Sequence, residues 1–269
     1  MPLSVIEKKT LAEHQSYVER LSRISFFFAR HWLKERSSEK SLGELLRDHT
    51  PLFFHALNYL DSETKWDNPD CLRIVTKTDE LRDLHAPEFE ERMYAEIRGL
   101  AMERAEKFYQ ESVGVGSPPG YNAGSLKYDP PKPPRPPTYC NFHIANAVSP
   151  KSIFDDPDYL PKCFLELMDK SEKEYGYDTL CTSTWLNEHP RWLKLFPQEW
   201  LDDFSPKLDG VAPCWNFGCW EQLVTARGTF NHKASLYLRE QGELKYKCRS
   251  SHCSFANMRK KLSEILKTL

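Results

Sequence analysis

Residues 112–137, SVGVGSPPGYNAGSLKYDPPKPPRPP, constrain the fold more than any other stretch of the chain. Their Gly and Pro punctuation ends whatever helix comes before. Within them PPKPPRPP (130–137) is expected to be extended, because each proline ring fixes φ and removes a backbone donor. Two roles fit such a run: a polyproline ligand for a partner domain, or a rigid strap joining two halves of one fold. Strand-like sequence on both sides, GSLKYDP before and TYCNFHIANAV after, favours the strap.

On the N-terminal side the spacing is helical. Over residues 4–36, Leu11, Val18, Leu21, Ser25, Phe28 and Trp32 recur every three or four positions among charged residues. Ser41-Leu-Gly-Glu44 carries the reciprocal signature of a helix start. Pro51 interrupts that helix, and 52–60 is expected to resume it. Pro87 suits the first turn of a long helix to Glu111, with Phe89, Met93, Ile97, Leu100 and Phe108 on one face. The first 112 residues therefore read as all-helical.

Beyond the strap the period changes. Tyr139–Val148 and Tyr177–Trp185 read as strands, separated by a helix over 157–175 that Gly176 would cap. A short helix over 187–196, one or two strands in CWNFGCWEQLVTARGTF, a helix in HKASLYLREQ and a closing amphipathic helix complete the pattern. Strand, helix of about four turns, then strand is the order that joins parallel neighbours through a right-handed crossover. The fold class expected is α/β (or α+β): a helical N-terminal layer (1–112), the connecting strap (113–138), and a mixed sheet with crossover helices (139–269). The three are read as one integrated globular unit.

Bulk properties narrow the function. A chain of 269 residues with net charge −2 lacks the basic surface that binding a phosphate backbone requires, so nucleic acid is not an expected partner. No run approaches the roughly 20 apolar residues of a membrane span, and MPLSVIEKKTLAEHQ has no secretory apolar core. Eight cysteines are then expected as reduced thiols in a cytoplasmic protein.

Candidate site residues lie at the strand ends. In YCNFHIANAVSPKSIFDD each face of the first strand carries one polar group, His143 or Asn146, among apolar or small neighbours. That pattern fits a strand running beneath a pocket at its carboxyl end, or polar groups satisfying the core. Ser149 and Ser152 come next as possible ligands for an anionic group, whereas Asp155 and Asp156 read better as helix caps. After the second strand come Asn187, Glu188 and His189, an imidazole with a carboxylate beside it. Trp220, Gln222 and Arg227 form a third cluster. Arg227 is either a clamp for a substrate carboxylate or a structural ion-pair partner for Asp155 or Glu188. His143, His189 and Glu188 are the catalytic candidates; Asn146, Ser149, Ser152, Asn187, Trp220, Gln222 and Arg227 are the substrate-binding ones.

Two cysteine pairs, Cys214/Cys219 and Cys248/Cys253, each enclose four residues, wider than the usual zinc knuckle. No metal ligand is assigned, although a site of His143, His189 and Asp155 is the alternative considered. Glycine-rich nucleotide loops and the GxSxG elbow are absent. Strand–helix–strand followed by LNEHPRWLKLF resembles, in element order, the acyl-CoA-dependent N-acyltransferases. SPKSIFDDPDYLP stands where their pyrophosphate-binding glycine turn would be, so no residue is carried over.

The expected function is enzymatic: a small-molecule metabolite undergoing acyl or aminoacyl transfer with histidine acid–base residues. The pocket is expected at the carboxyl ends of the 139–148 and 177–185 strands. The sequence names no cofactor. A His/carboxylate metal-dependent oxygenase or lyase is one alternative. An interaction protein presenting residues 130–137 to a partner domain is the other.

Overall fold

The computed structural model of the protein describes residues 9–36, 39–59, 68–112, 120–207 and 218–269. Residues 4–8, Leu60, residues 113–119 of the strap and Cys214 lie outside the described residues. In chain order the first helices are α1 (Leu11–Phe28), α2 (Lys34–Arg36), α3 (Leu42–His49), α4 (Pro69–Glu80) and α5 (Ala86–Ser112). Next come β1 (Leu126–Tyr128), β2 (Tyr139–Ile144), α6 (Tyr159–Tyr175) and β3 (Thr179–Thr184). The remainder is α7 (Pro190–Leu193), α8 (Gln198–Asp202), α9 (His232–Gln241), β4 (Arg249–Ser254) and α10 (Phe255–Thr268). The N-terminal helices pack together, and the C-terminal part holds a four-stranded mixed sheet interleaved with helices.

Two compact units divide the chain: Met1–Val113 with Asp209–Lys245, and Gly114–Leu208 with Tyr246–Leu269. In the first, α1 starts at a capping box in which Thr10 and Glu13 exchange side-chain-to-backbone bonds; Ser41 and Glu44 do the same for α3. The apolar stripe of α1 lies along that of α5, with Phe26 edge-on to Phe89 at 6.3 Å and Leu21, Ile24, Met93 and Ile97 fully buried. Where one continuous helix is expected through 36, α1 passes into a π-helical turn at Ala29–Leu33. The segment after Pro51 is likewise π-helical, Leu52–Ala56.

The strands expected in CWNFGCWEQLVTARGTF do not form among its described residues. Gly218–Leu223 is a 3-10 helix, and residues 224–230 make a closed turn with a single bridge between Val224 and Phe230. The turn is tied by Thr225 N–H to Thr229 O (2.8 Å) and Gly228 N–H to Thr225 O (2.8 Å), with Gly228 at φ +81°. This winding buries Trp220 edge-on to Phe28 at 5.5 Å. Helix α9 is tied to α5 through Arg239, which makes a bidentate pair with Glu90 (2.8 and 2.7 Å).

In the second unit the strand order is β1-β2-β3-β4, with β2 and β3 parallel and both outer pairs antiparallel. Helix α6 is the expected crossover, and Gly176 caps it at φ +69°. One sheet face places Cys140, Phe142, Leu180 and Cys253 in an aromatic core. Phe142 meets Phe164 edge-on at 5.3 Å, and Phe196 stacks on Trp200 at 4.2 Å. The edge strand β4 is protected by side-chain acceptors: its N–H groups at Ser250, His252 and Ser254 donate to Ser205 Oγ, Asp203 Oδ2 and Glu199 Oε1.

PPKPPRPP is not one extended run. Arg135 N–H donates to Lys132 O (3.2 Å), closing a turn over Pro133-Pro134, and the segment links the antiparallel neighbours β1 and β2. The Pro133-Pro134 peptide bond is cis, the form in which proline takes the third position of a turn.

Candidate functional site

Alternation along the sheet sends Tyr139, Asn141 and His143 of β2, Cys181 and Ser183 of β3, and Ser250 and His252 of β4 to the face opposite the aromatic core. None of them is buried. Register sets Asn141 beside Cys181 and Cys181 beside His252, so amide, thiol and imidazole form a row across three strands.

His143 is held by a carboxylate. Its Nε2 lies 2.8 Å from Asp129 Oδ2, and Asn141 Nδ2 donates to the same oxygen at 2.7 Å. Asp129 is itself fixed at its backbone: its N–H donates to Asn141 O (3.0 Å), and Tyr177 Oη donates to its carbonyl (2.8 Å). Burial resists ionisation of Asp129, but the hydrogen bonds from His143 and Asn141 outweigh it and hold the carboxyl below its ordinary range. Both side chains stay about 40% accessible, 41% for His143 and 38% for Asp129. With Nε2 donating its N–H to the Asp129 carboxylate, Nδ1 is the ring nitrogen left to accept a proton.

A second pair shares the face. His252 Nδ1 lies 2.5 Å from Asp203 Oδ2, and Tyr139 packs against the imidazole at 5.4 Å between ring centroids. Between the two histidines, Cys181 is pushed up to about 11 by burial, which the nearby Arg135 only partly offsets, so it remains a thiol at neutral pH.

The carboxyl ends of β2 and β3 hold the next candidates. His189 stacks on Phe154 (5.1 Å, 14°) and meets Tyr246 edge-on at 5.3 Å, so its ring is clasped by aromatics. Glu188 is a structural anion. Burial resists its charge, but Lys207 (2.5 Å), the Lys247 N–H (2.8 Å) and Arg249 together hold its carboxyl low. Asn187 is fully buried, donating to Arg249 O (2.7 Å) and accepting from Trp192 Nε1 (3.1 Å). Asn146 turns back on its own loop, donating to Lys151 O (2.9 Å) and accepting from Val148 N–H (3.1 Å). Ser152 accepts from Phe154 N–H, Asp155 from Ser152 N–H and Asp156 from Asp158 N–H, while Ser149 precedes Pro150 in the same loop. The aspartates thus tie the loop before α6.

Trp220, Gln222 and Arg227 belong to the first unit. Trp220 is core, Gln222 donates to Cys219 O (3.1 Å), and Arg227 pairs with Glu13 (3.0 Å) rather than with Asp155 or Glu188.

Asp129, Asp203 and His252 are absent from the candidates that the sequence offers. The short spacing from Asp129 to His143 becomes a contact only through the β1–β2 pairing across the proline turn. His252 sits in RSSHCS, whose inward positions are Ser251 and Cys253 and therefore give no apolar signal for a strand. Among the described residues no group of three His, Cys, Asp or Glu side chains could hold a metal ion, and the seven cysteines there form no disulfide. No helix there is long and apolar enough to cross a membrane. Compared with protein-family models, curated proteins and solved structures, the chain finds no match.

Proposed function

We propose that the chain is an intracellular enzyme that transfers an acyl or aminoacyl group between small metabolites, with His143 as its acid–base residue. The observation that carries this reading is the 2.8 Å bond from a half-exposed imidazole to a backbone-anchored carboxylate. Asp129 fixes the tautomer and offsets the imidazolium charge, leaving Nδ1 to take a proton from an amine or hydroxyl acceptor. The acceptor attacks the acyl carbonyl, and the same proton then goes to the departing group as the tetrahedral intermediate collapses.

The test is a panel of acyl thioesters and aminoacyl esters with amine acceptors, read as release of free thiol or alcohol. His143→Ala is expected to lose about 10²–10⁴-fold in turnover with its thermal unfolding unchanged. Undiminished turnover by that variant would overturn the assignment.

A second reading, a binding module, is favoured by the exposure of the proline turn, where all of residues 130–137 except Arg135 are exposed. A pull-down that survives deletion of 130–137 rules it out.

A further inference from the structure

The first unit holds a partly open cavity of about 300 Å³ that the acid–base reading does not use. Its charged lining is mainly cationic, with Lys9 and Arg104 set against Glu111. Lys9 is buried, with its ammonium donating to Gly228 O at 3.2 Å and lying 5.4 Å from the Tyr17 ring centroid. Arg104 of α5 donates to the carbonyls of Leu57 and Asn58 and stacks over Tyr59 at 3.7 Å. Neither cation makes an ion pair with a carboxylate among the described residues.

His14 of α1 also lines the cavity, and its Nδ1 is buried without a hydrogen-bond partner. A native protein rarely leaves such a group unsatisfied, and an occupant of the cavity would supply the missing partner. His55 is presented by the π-helical turn Leu52–Ala56, a geometry that recurs at functional sites. Burial depresses Lys9 to about 8, His14 to about 4 and His55 to about 3. At neutral pH the Lys9 amine is therefore mostly charged and the two imidazoles are neutral. The remaining wall includes Val18, Ala56, Ala105 and Phe108. Its volume is at the small end of ligand pockets and suits a single-ring or short-chain acid.

We propose that this cavity binds a small organic carboxylate, its head held by Lys9 and Arg104 with the His14 ring as a further donor, and its apolar body against Val18 and Phe108. The cavity shares no residue with the acid–base site, so the two stand or fall separately.

The experiment is calorimetric titration of the full chain with sodium phenylacetate, 2-phenylethanol and inorganic phosphate. Phenylacetate is expected to bind one-to-one, and the alcohol at least about tenfold more weakly, because one charge-assisted hydrogen bond is worth that much. Lys9→Met should weaken phenylacetate to the same degree. Should that variant not fold, NMR of the wild-type histidine rings replaces it, with phenylacetate shifting His14 and His55 and leaving His143 and His252 unmoved. The proposal is overturned if phenylacetate shows no binding, if the alcohol or phosphate binds as tightly, if Lys9→Met binds undiminished, or if only histidines outside the cavity shift.

Discussion

Asn187 divides a structural from a substrate-binding role sharply enough to measure. Replacing it with Ala withdraws the donor from Arg249 O and the acceptor from Trp192 Nε1, around a side chain with no access to water. A buried polar group left without a partner costs about 1–3 kcal/mol, so two put the loss at about 2–6 kcal/mol. A water entering the vacated space returns part of that, giving an expected destabilisation of about 2–4 kcal/mol. Hydrogen exchange by mass spectrometry of peptides over 139–201 reads the second unit alone. A loss of about 3 kcal/mol should speed exchange of its slowest amides roughly a hundredfold. His143→Ala, at a half-exposed position, should change those rates little and serves as the control. Exchange in Asn187→Ala within about twofold of the parent would refute the reasoning, because the amide would then not be holding β4 to α7.

Two glycines test backbone strain against packing. Gly176→Ala should cost about 1–2 kcal/mol from its left-handed conformation alone, since nothing lies near the added methyl. Gly242→Ala should cost clearly more in urea unfolding, because there the methyl also runs into the Trp32 ring. Lys9 gives a pH signature. With its folded pKa lowered to about 8 from 10.5, the unfolded chain binds more protons between those values. Stability contributed by Lys9 should therefore rise from pH 8 to about 10.5, and fall as pH drops towards 8. Lys9→Met should flatten that rise in paired denaturation curves, while Glu13, Glu111, His14, His55 and Arg104 stay as they are.

Much of the architecture was legible because it rests on local chemistry. The Ser41–Glu44 capping box and the Gly176 cap arise from residues a few positions apart, and the α6 crossover between β2 and β3 follows from the strand–helix–strand order of one continuous segment. The features that escaped depend on partners distant in sequence. Helix α9 shows one narrow apolar face, but nothing in HKASLYLREQ says that Glu90 of α5 will receive Arg239. The π-helical turns leave no periodic trace, since one extra residue per turn merely blurs the spacing. At the site, His143 was singled out from its misfit in an apolar strand. Its carboxylate was not, because the proline turn that brings Asp129 back to it reads as a spacer.

The alternation of the two units along the chain bears on how the protein is made. The first unit takes its segments from Met1–Val113 and Asp209–Lys245, and the second from Gly114–Leu208 and Tyr246–Leu269. As the polypeptide emerges from its N-terminus, α1 and α5 are complete long before the Trp220 ring that packs on Phe28 has been synthesised. The second unit likewise lacks its edge strand until the C-terminal segment arrives. Neither unit is therefore complete when residue 208 is reached, and no single cut yields an intact half. The first unit is completed only by a segment that follows most of the second in sequence, so until Trp220 arrives the part of Phe28 it covers stays open.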